Sequence, residues 1–127
     1  MAWTTPKTNW KATDTFEIGD YARIVGNITY LHGLADKMFY LPPLNVVPAT
    51  KTYSDMIYPA ELNAIENNVV LIDTATYKTG YQATVWKANQ PTPTYEDYNR
   101  IESEISELKS KLQAQYDKAW VLPITLG

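Results

Sequence analysis

Three twelve-residue segments of this chain align with one another without a gap: DYARIVGNITYL from Asp20, ELNAIENNVVLI from Glu61 and DYNRIESEISEL from Asp97. A repeat of this kind means one structural unit made three times, with each copy burying its apolar face against the others. The apolar positions are Tyr21, Ile24, Ile28 and Leu31 in the first unit, Leu62, Ile65, Val69 and Ile72 in the second, and Tyr98, Ile101, Ile105 and Leu108 in the third. Each set is spaced 3, 4, 3 along the chain, which lines all four residues along one helical stripe. The first stripe continues through Ala35 and Met38, the third through Leu112. Alternating threes and fours suit helices packed at a shallow angle, and a compact bundle satisfies the pattern over so few turns.

The starts of the helices repeat as well. Thr94 and Asp97 fit a capping box, in which the Thr side chain takes a first-turn amide and the acid reaches back. The alignment puts Asp20 and Glu61 at the same third helical position as Asp97. A carboxylate there also meets the positive end of the helix dipole, for about 0.3–1 kcal/mol. Pro59 falls at a first helical position, where its missing N–H costs nothing. The recurring acid is therefore read as a cap rather than a catalytic or metal carboxylate. Upstream, Trp10-Lys11-Ala12 precedes the first helix and Trp86-Lys87-Ala88 the third. A Trp before a cap packs back on its helix as an enlarged hydrophobic staple; a ligand platform is the other reading. In the second unit Tyr53 is the only aromatic in a comparable place.

The expected architecture is mainly α: a single domain of three repeat units, about 1–43, 44–79 and 80–127, whose capped helices form a small bundle joined by extended aromatic arms. Helix one is expected from Ile18 to Phe39, stopped by Pro42 and Pro43, with Gly26 and Gly33 inside it allowing a neighbouring helix to come close. Helix two begins at Pro59 and fades after Ile72. The segment YKTGYQATVWKA from Tyr77 to Ala88 is rich in Thr, Val and aromatics with a turn signal at Thr79-Gly80, so a short β-hairpin and an extended arm are both open. Helix three runs from Tyr95 to about Trp120, with Glu102, Glu104, Glu107, Lys109 and Lys111 on a solvated face. Pro123 ends it, and the apolar tail from Val121 to Leu126 either docks on the core or joins a neighbouring subunit, the second being preferred here.

Composition narrows the function. The net charge is −3 and there is no run of Lys and Arg, so the basic face of a nucleic-acid binder is missing. No cysteine is present, which excludes disulfides and thiol chemistry. No stretch approaches the roughly 20 apolar residues of a membrane helix, and the first ten residues lack the apolar core of a signal peptide. The one histidine, His32, has no second histidine with which to share a metal, and metal sites take three or four ligands. There is no glycine-rich phosphate loop. Neither a cofactor, a metal nor a catalytic set is expected, and the chain reads as a non-enzyme. Ten Tyr and four Trp against two Phe suit half-wet contact surfaces or a small core finished with large residues.

Pro6-Lys7-Thr8-Asn9-Trp10, with Asp20-Tyr21-x-Arg23-Ile24-x-x-Asn27-Ile28-x-x-Leu31, resembles minor structural proteins of tailed bacteriophages, in which P-K-T-D-W and D-x-N-R-I-E-x-N-I recur. Asp97-Tyr98-Asn99-Arg100-Ile101-Glu102 is the best single match. The second unit keeps Asn63, Ile65, Glu66 and Asn68 but has Ala64 for Arg, and the first has Ala22 and Val25 for Asn and Glu. The resemblance implies a virion component of tail, baseplate or fibre, forming a homo-oligomer and meeting other virion proteins, with neither nucleic acid nor membrane as partner. Arg23 and Arg100, at one repeat position, are candidates for bidentate pairs with carboxylates within or between subunits, or for solvated stems over aromatic neighbours. The alternative function is a module binding host-surface glycans by stacking on Trp3, Trp10, Trp86 and Trp120.

Overall fold

A computed structural model describes residues 3–48, 51 and 58–126, the last eight of these by backbone alone. It contains three helices, α1 (Ile18–Asp36), α2 (Pro59–Ala75) and α3 (Tyr95–Leu126), each packed against the other two. Their stripes meet in one core. Tyr21, Ile24, Ile28, Leu31, Ile65, Val69, Ile72, Ile101, Ile105, Leu108 and Leu112 are buried there together. Leu62 is buried as well, whereas Tyr98 is only half-buried.

Each helix begins in the same way. The N–H of the residue before it donates to the acid at its third position: Glu17 to Asp20 at 2.9 Å, Tyr58 to Glu61 at 3.1 Å and Thr94 to Asp97 at 2.8 Å. These bonds satisfy backbone groups that the helix leaves without partners.

The connecting arms, described over residues 3–17, 37–48 and 76–94, decide the topology. Arm one passes Glu102 at Lys7 and then Asn99 at Trp10, so it runs antiparallel to α3. It then turns at Lys11–Asp14 and enters α1, which runs back past the start of the same arm, where Asn27 meets Thr4. Arm three repeats the path: Thr79 lies beside Glu104 of α3, Thr84 beside Glu66 and Trp86 beside Asn63 of α2. In arm two Asn45 lies beside Asn68 of α2, and the Pro48 carbonyl accepts from the Tyr21 hydroxyl of α1 at 2.6 Å. The helices are therefore parallel, and each arm fills the groove between its own helix and the helix of another unit. The whole is a ring of three quasi-equivalent units closed within one chain.

Several expectations are corrected. No described residue lies in a strand, so the hairpin at Tyr77–Ala88 is not there; the polar backbone of that segment bonds to helix side chains instead of a second strand. Helix one stops at Asp36 rather than Phe39, because the Met38 and Phe39 amides both turn back to the Ala35 carbonyl. Helix two continues beyond Ile72 to Ala75, finished by the Thr76 hydroxyl on the Ile72 carbonyl at 2.7 Å. Helix three does not stop before Pro123 but runs to Leu126; a proline this near a helix end forgoes a single backbone bond. The side chains of Trp120 and of the tail, and Tyr53, lie outside the described residues.

Gly26 and Gly33 permit no close approach, since nothing lies within 4 Å of a Cβ built at either. Nothing in the structure explains why they are glycine. Gly26→Ala and Gly33→Ala are each expected to stabilise the fold by roughly 1 kcal/mol, the helix propensity difference, measured as a rise in the urea midpoint at constant slope.

Candidate functional site

The polar residues of the repeat converge on two buried carboxylates. Glu102 of α3 is completely buried, yet every described bond to it is a donor's. Its Oε1 accepts from the Lys7 amide at 3.0 Å and Arg23 Nε at 2.8 Å, and its Oε2 from Trp10 Nε1 and Arg23 Nη2, both at 2.7 Å. Arg23 thus grips it with two parallel bonds, the strongest geometry for this pair, and its Nη1 turns to Asp20 at 2.8 Å. Trp10 is itself buried, with Tyr98 at 5.1 Å between ring centres and Lys7 above it at 4.2 Å. Its backbone N–H and carbonyl are both held by the Asn99 side chain, at 2.7 and 3.0 Å.

Glu66 of α2 is the same acid one unit away. It is completely buried and accepts from Trp86 Nε1 at 2.6 Å, the Tyr81 hydroxyl at 2.7 Å and the Thr84 amide at 3.2 Å. Arg100 closes on both of its oxygens and touches Asp97 at 3.4 Å. Asn63 holds the Trp86 backbone as Asn99 holds that of Trp10. Arm, arginine and acceptor helix therefore form a lock, made twice: arm one and Arg23 on α3, arm three and Arg100 on α2.

A buried carboxylate costs several kcal/mol unless paired and fully hydrogen-bonded, and here both conditions are met. Hydrogen bonds from Arg23 to Glu102 hold the guanidinium above its ordinary pKa against the opposing effect of burial. Arg100 is raised too: burial, the largest single effect, works against it, and Glu66, Tyr81 and Asp97 together outweigh burial. Burial and then the charge of Glu66 push the Tyr81 phenol far up, so it remains a donor.

The third joint, α2 with α1, lacks the lock. Where Glu102 and Glu66 stand, α1 has Val25; where Arg23 and Arg100 stand, α2 has Ala64; where Asn99 and Asn63 stand, α1 has Ala22. Donor and acceptor are missing together, so neither is left buried alone. Lys51 partly replaces them, bonding Glu61 at 2.6 Å with its ammonium 5.9 Å from the Tyr21 ring. A cavity of about 230 Å³ lies in this seam, lined by Val25, Ile28, Leu44, Val47 and Ile65 among others.

A second repeated contact ties each arm to its own helix. Asn27 accepts the Thr4 amide at 3.0 Å and donates to the Thr4 carbonyl at 2.7 Å. Asn68 does the same to Asn45, at 2.7 and 3.0 Å. Glu104 occupies this position in the third unit.

Among the interaction candidates, Arg23, Arg100, Trp10 and Trp86 come together at the locks. Trp3 does not; it packs half-buried on Tyr30. The tryptophans staple an arm to the preceding unit's helix rather than to their own, as the indole bonds to Glu102 and Glu66 show. Glu102 and Glu104 are buried, so they are not part of a solvated face. Glu66, Glu102 and the four asparagines are the residues that periodicity passes over. Their recurrence in aligned columns beside the apolar stripe was the available signal. His32 bonds the Pro42 carbonyl at 2.8 Å. Among the described residues no group of three or more His, Asp or Glu is arranged to hold a metal ion, and none of the helices is long and apolar enough to cross a membrane. No model of a known family matches the chain, nor does a curated protein or a solved structure.

Proposed function

We propose that the chain is a non-enzymatic structural component of a bacteriophage virion, belonging to its tail, baseplate or fibre. The observation that carries this reading is the use of the repeat's Trp, Arg, Asn and Glu. All four residue types close arms onto helices and join the units into a ring. Such an arrangement holds segments of chain together, and its polar groups bond to one another. The same residues carry the resemblance to phage structural proteins. A ring of three quasi-equivalent units offers similar surfaces at three positions around one axis, which fits a neighbour of threefold symmetry. Exposed Tyr40, Val46 and Val85 remain for such contacts. Against the glycan-binding alternative, Trp10 is buried under Lys7 and Tyr98 and presents no face to a sugar.

Two measurements test the proposal. Absolute mass by light scattering over a concentration series is expected to give a defined oligomer; a monomer throughout redirects the reading to an adaptor that joins only a preformed partner. Mass spectrometry of purified particles from a host producing the protein is expected to find it at a fixed stoichiometry, and its absence from them sinks the virion reading.

A further inference from the structure

Glu104 breaks the arm-to-helix contact in a chemically specific way. At its position in the other units stand Asn27 and Asn68, whose amides donate and accept at once. A carboxylate only accepts, whereas a neutral carboxyl group does both. Glu104 is buried and takes the Thr79 hydroxyl at 2.8 Å. Asp73 at the end of α2, also buried, holds the same residue of arm three, accepting the Thr79 amide at 2.9 Å. Thr79 thus gathers two buried acids on one residue, and two close carboxylates cannot both ionise cheaply.

The described ion pairs include neither acid. On α3, Arg100 is engaged by Glu66 and Asp97, and Glu107 adds a further negative charge. Arm three contributes only the uncharged Thr79, and the neighbouring Lys78 side chain is exposed.

We propose that Glu104, Asp73 and Thr79 form a pH-operated catch where arm three leaves α2, closed while Glu104 carries its proton and loosened when the proton is lost. Burial above all, and then Asp73, raise the Glu104 carboxyl to about 7. Because this value lies above that of the unfolded chain, the catch contributes fully below the ordinary glutamate range. Its contribution is lost as the pH rises through about 7. Loosening reaches Thr79 and Gly80 first, since Thr76 and Tyr77 have bonds of their own to α2 and α3, and Tyr81, Thr84 and Trp86 are held separately by Glu66.

The test compares thermal unfolding of the full chain with that of Glu104→Gln between pH 5 and pH 8.5, alongside carbon-13 NMR of the side-chain carboxyls. Gln donates and accepts at every pH, so the Tm of the parent is expected to fall through neutrality while that of the variant stays flat. The Glu104 signal is expected to titrate near 7 in the parent and to move towards the ordinary glutamate range in Asp73→Asn. Equal pH slopes for parent and Gln variant, or titration of Glu104 in the ordinary range, overturn the proposal. The NMR titration of the parent decides the matter even if a variant does not fold.

Discussion

Glu102→Ala is expected to destabilise the protein by about 3–5 kcal/mol, the range for breaking a buried ion pair from one side. Small domains have about 5–15 kcal/mol of stability in all, so much of the chain unfolds under mild conditions. The reason lies in what remains. Arg23 keeps its charge in a half-buried place with only Asp20 beside it, the Trp10 indole N–H loses its acceptor, and the Lys7 amide loses its own. Each orphaned donor carries its own desolvation cost. Urea unfolding followed by circular dichroism checks the size, with Glu107→Ala on the exposed side of the same helix as a control expected within about 0.5 kcal/mol of the parent. Removing both partners by Arg23→Met with Glu102→Leu is expected to recover the part of the loss due to the unpaired Arg23 charge, since an apolar pair of similar volume often replaces a buried ion pair without penalty, while the Trp10 and Lys7 donors still lack their acceptor. The joint between α1 and α2, with Val25 and Ala64 in the corresponding places, is an instance of that exchange within the same molecule. Equal losses for the single and double variants would show that the unpaired charge of Arg23 is not a source of the loss.

A peptide of residues 76–118 is expected to assemble by itself into a parallel trimer. Unit three alone carries both halves of the lock. Trp86 and Arg100 are its donors towards α2, and Asn99 and Glu102 are the acceptors of arm one. Three copies of this unit can therefore close the ring that the chain closes with three different units. Unit one has donors but Ala22 and Val25 as acceptors, and unit two has acceptors but Ala64 as donor. A peptide of residues 3–43 is accordingly expected to stay monomeric, with little helix at its length. Sedimentation equilibrium reads the result directly: three times the peptide mass for unit three and one times for unit one. Identical behaviour of the two peptides would mean that the apolar stripes, and not the locks, govern association.

The helices were legible because their signals are local. Spacing of three and four picks out Ile24, Ile65 and Ile101 without any knowledge of neighbours, and the acid at each third position marks a start. The locks were not legible, because each joins residues far apart and each member has an ordinary local reading. Glu102 stands among Glu104, Glu107, Lys109 and Lys111 and looks like one more solvated charge; only the arm laid across it makes it buried. Trp10 looks like a staple for the helix that follows it, and its actual partner lies 92 residues ahead. Residues Tyr77 to Ala88 have the composition of a strand because β-propensity records fitness for a half-buried extended backbone. An arm in a groove between helices meets that description with no second strand. At the repeat's polar columns, the joint loss of Ala22, Val25 and Ala64 from one seam carried information, since three departures from a motif that coincide at one interface are one event.

The parallel arrangement has a consequence for how the molecule is made. Arm one is synthesised first, and its acceptor Glu102 is separated from Lys7 by 95 positions. At translation speeds of about 5–20 residues per second, Trp10 waits roughly 5–20 s for α3 to be polymerised. In that interval α1 and α2 are complete, and the seam they share is the one built from Val25, Ala64 and Ala22, with no buried charge waiting for a distant mate. Glu66 waits less, since Arg100 follows it by only 34 positions. The nascent chain can thus pair its first two helices through apolar contacts and the bonds of arm two, all available before α3 is made. The charged joints, whose unpaired halves would be costly to bury, are left to the final helix, whose arrival completes both.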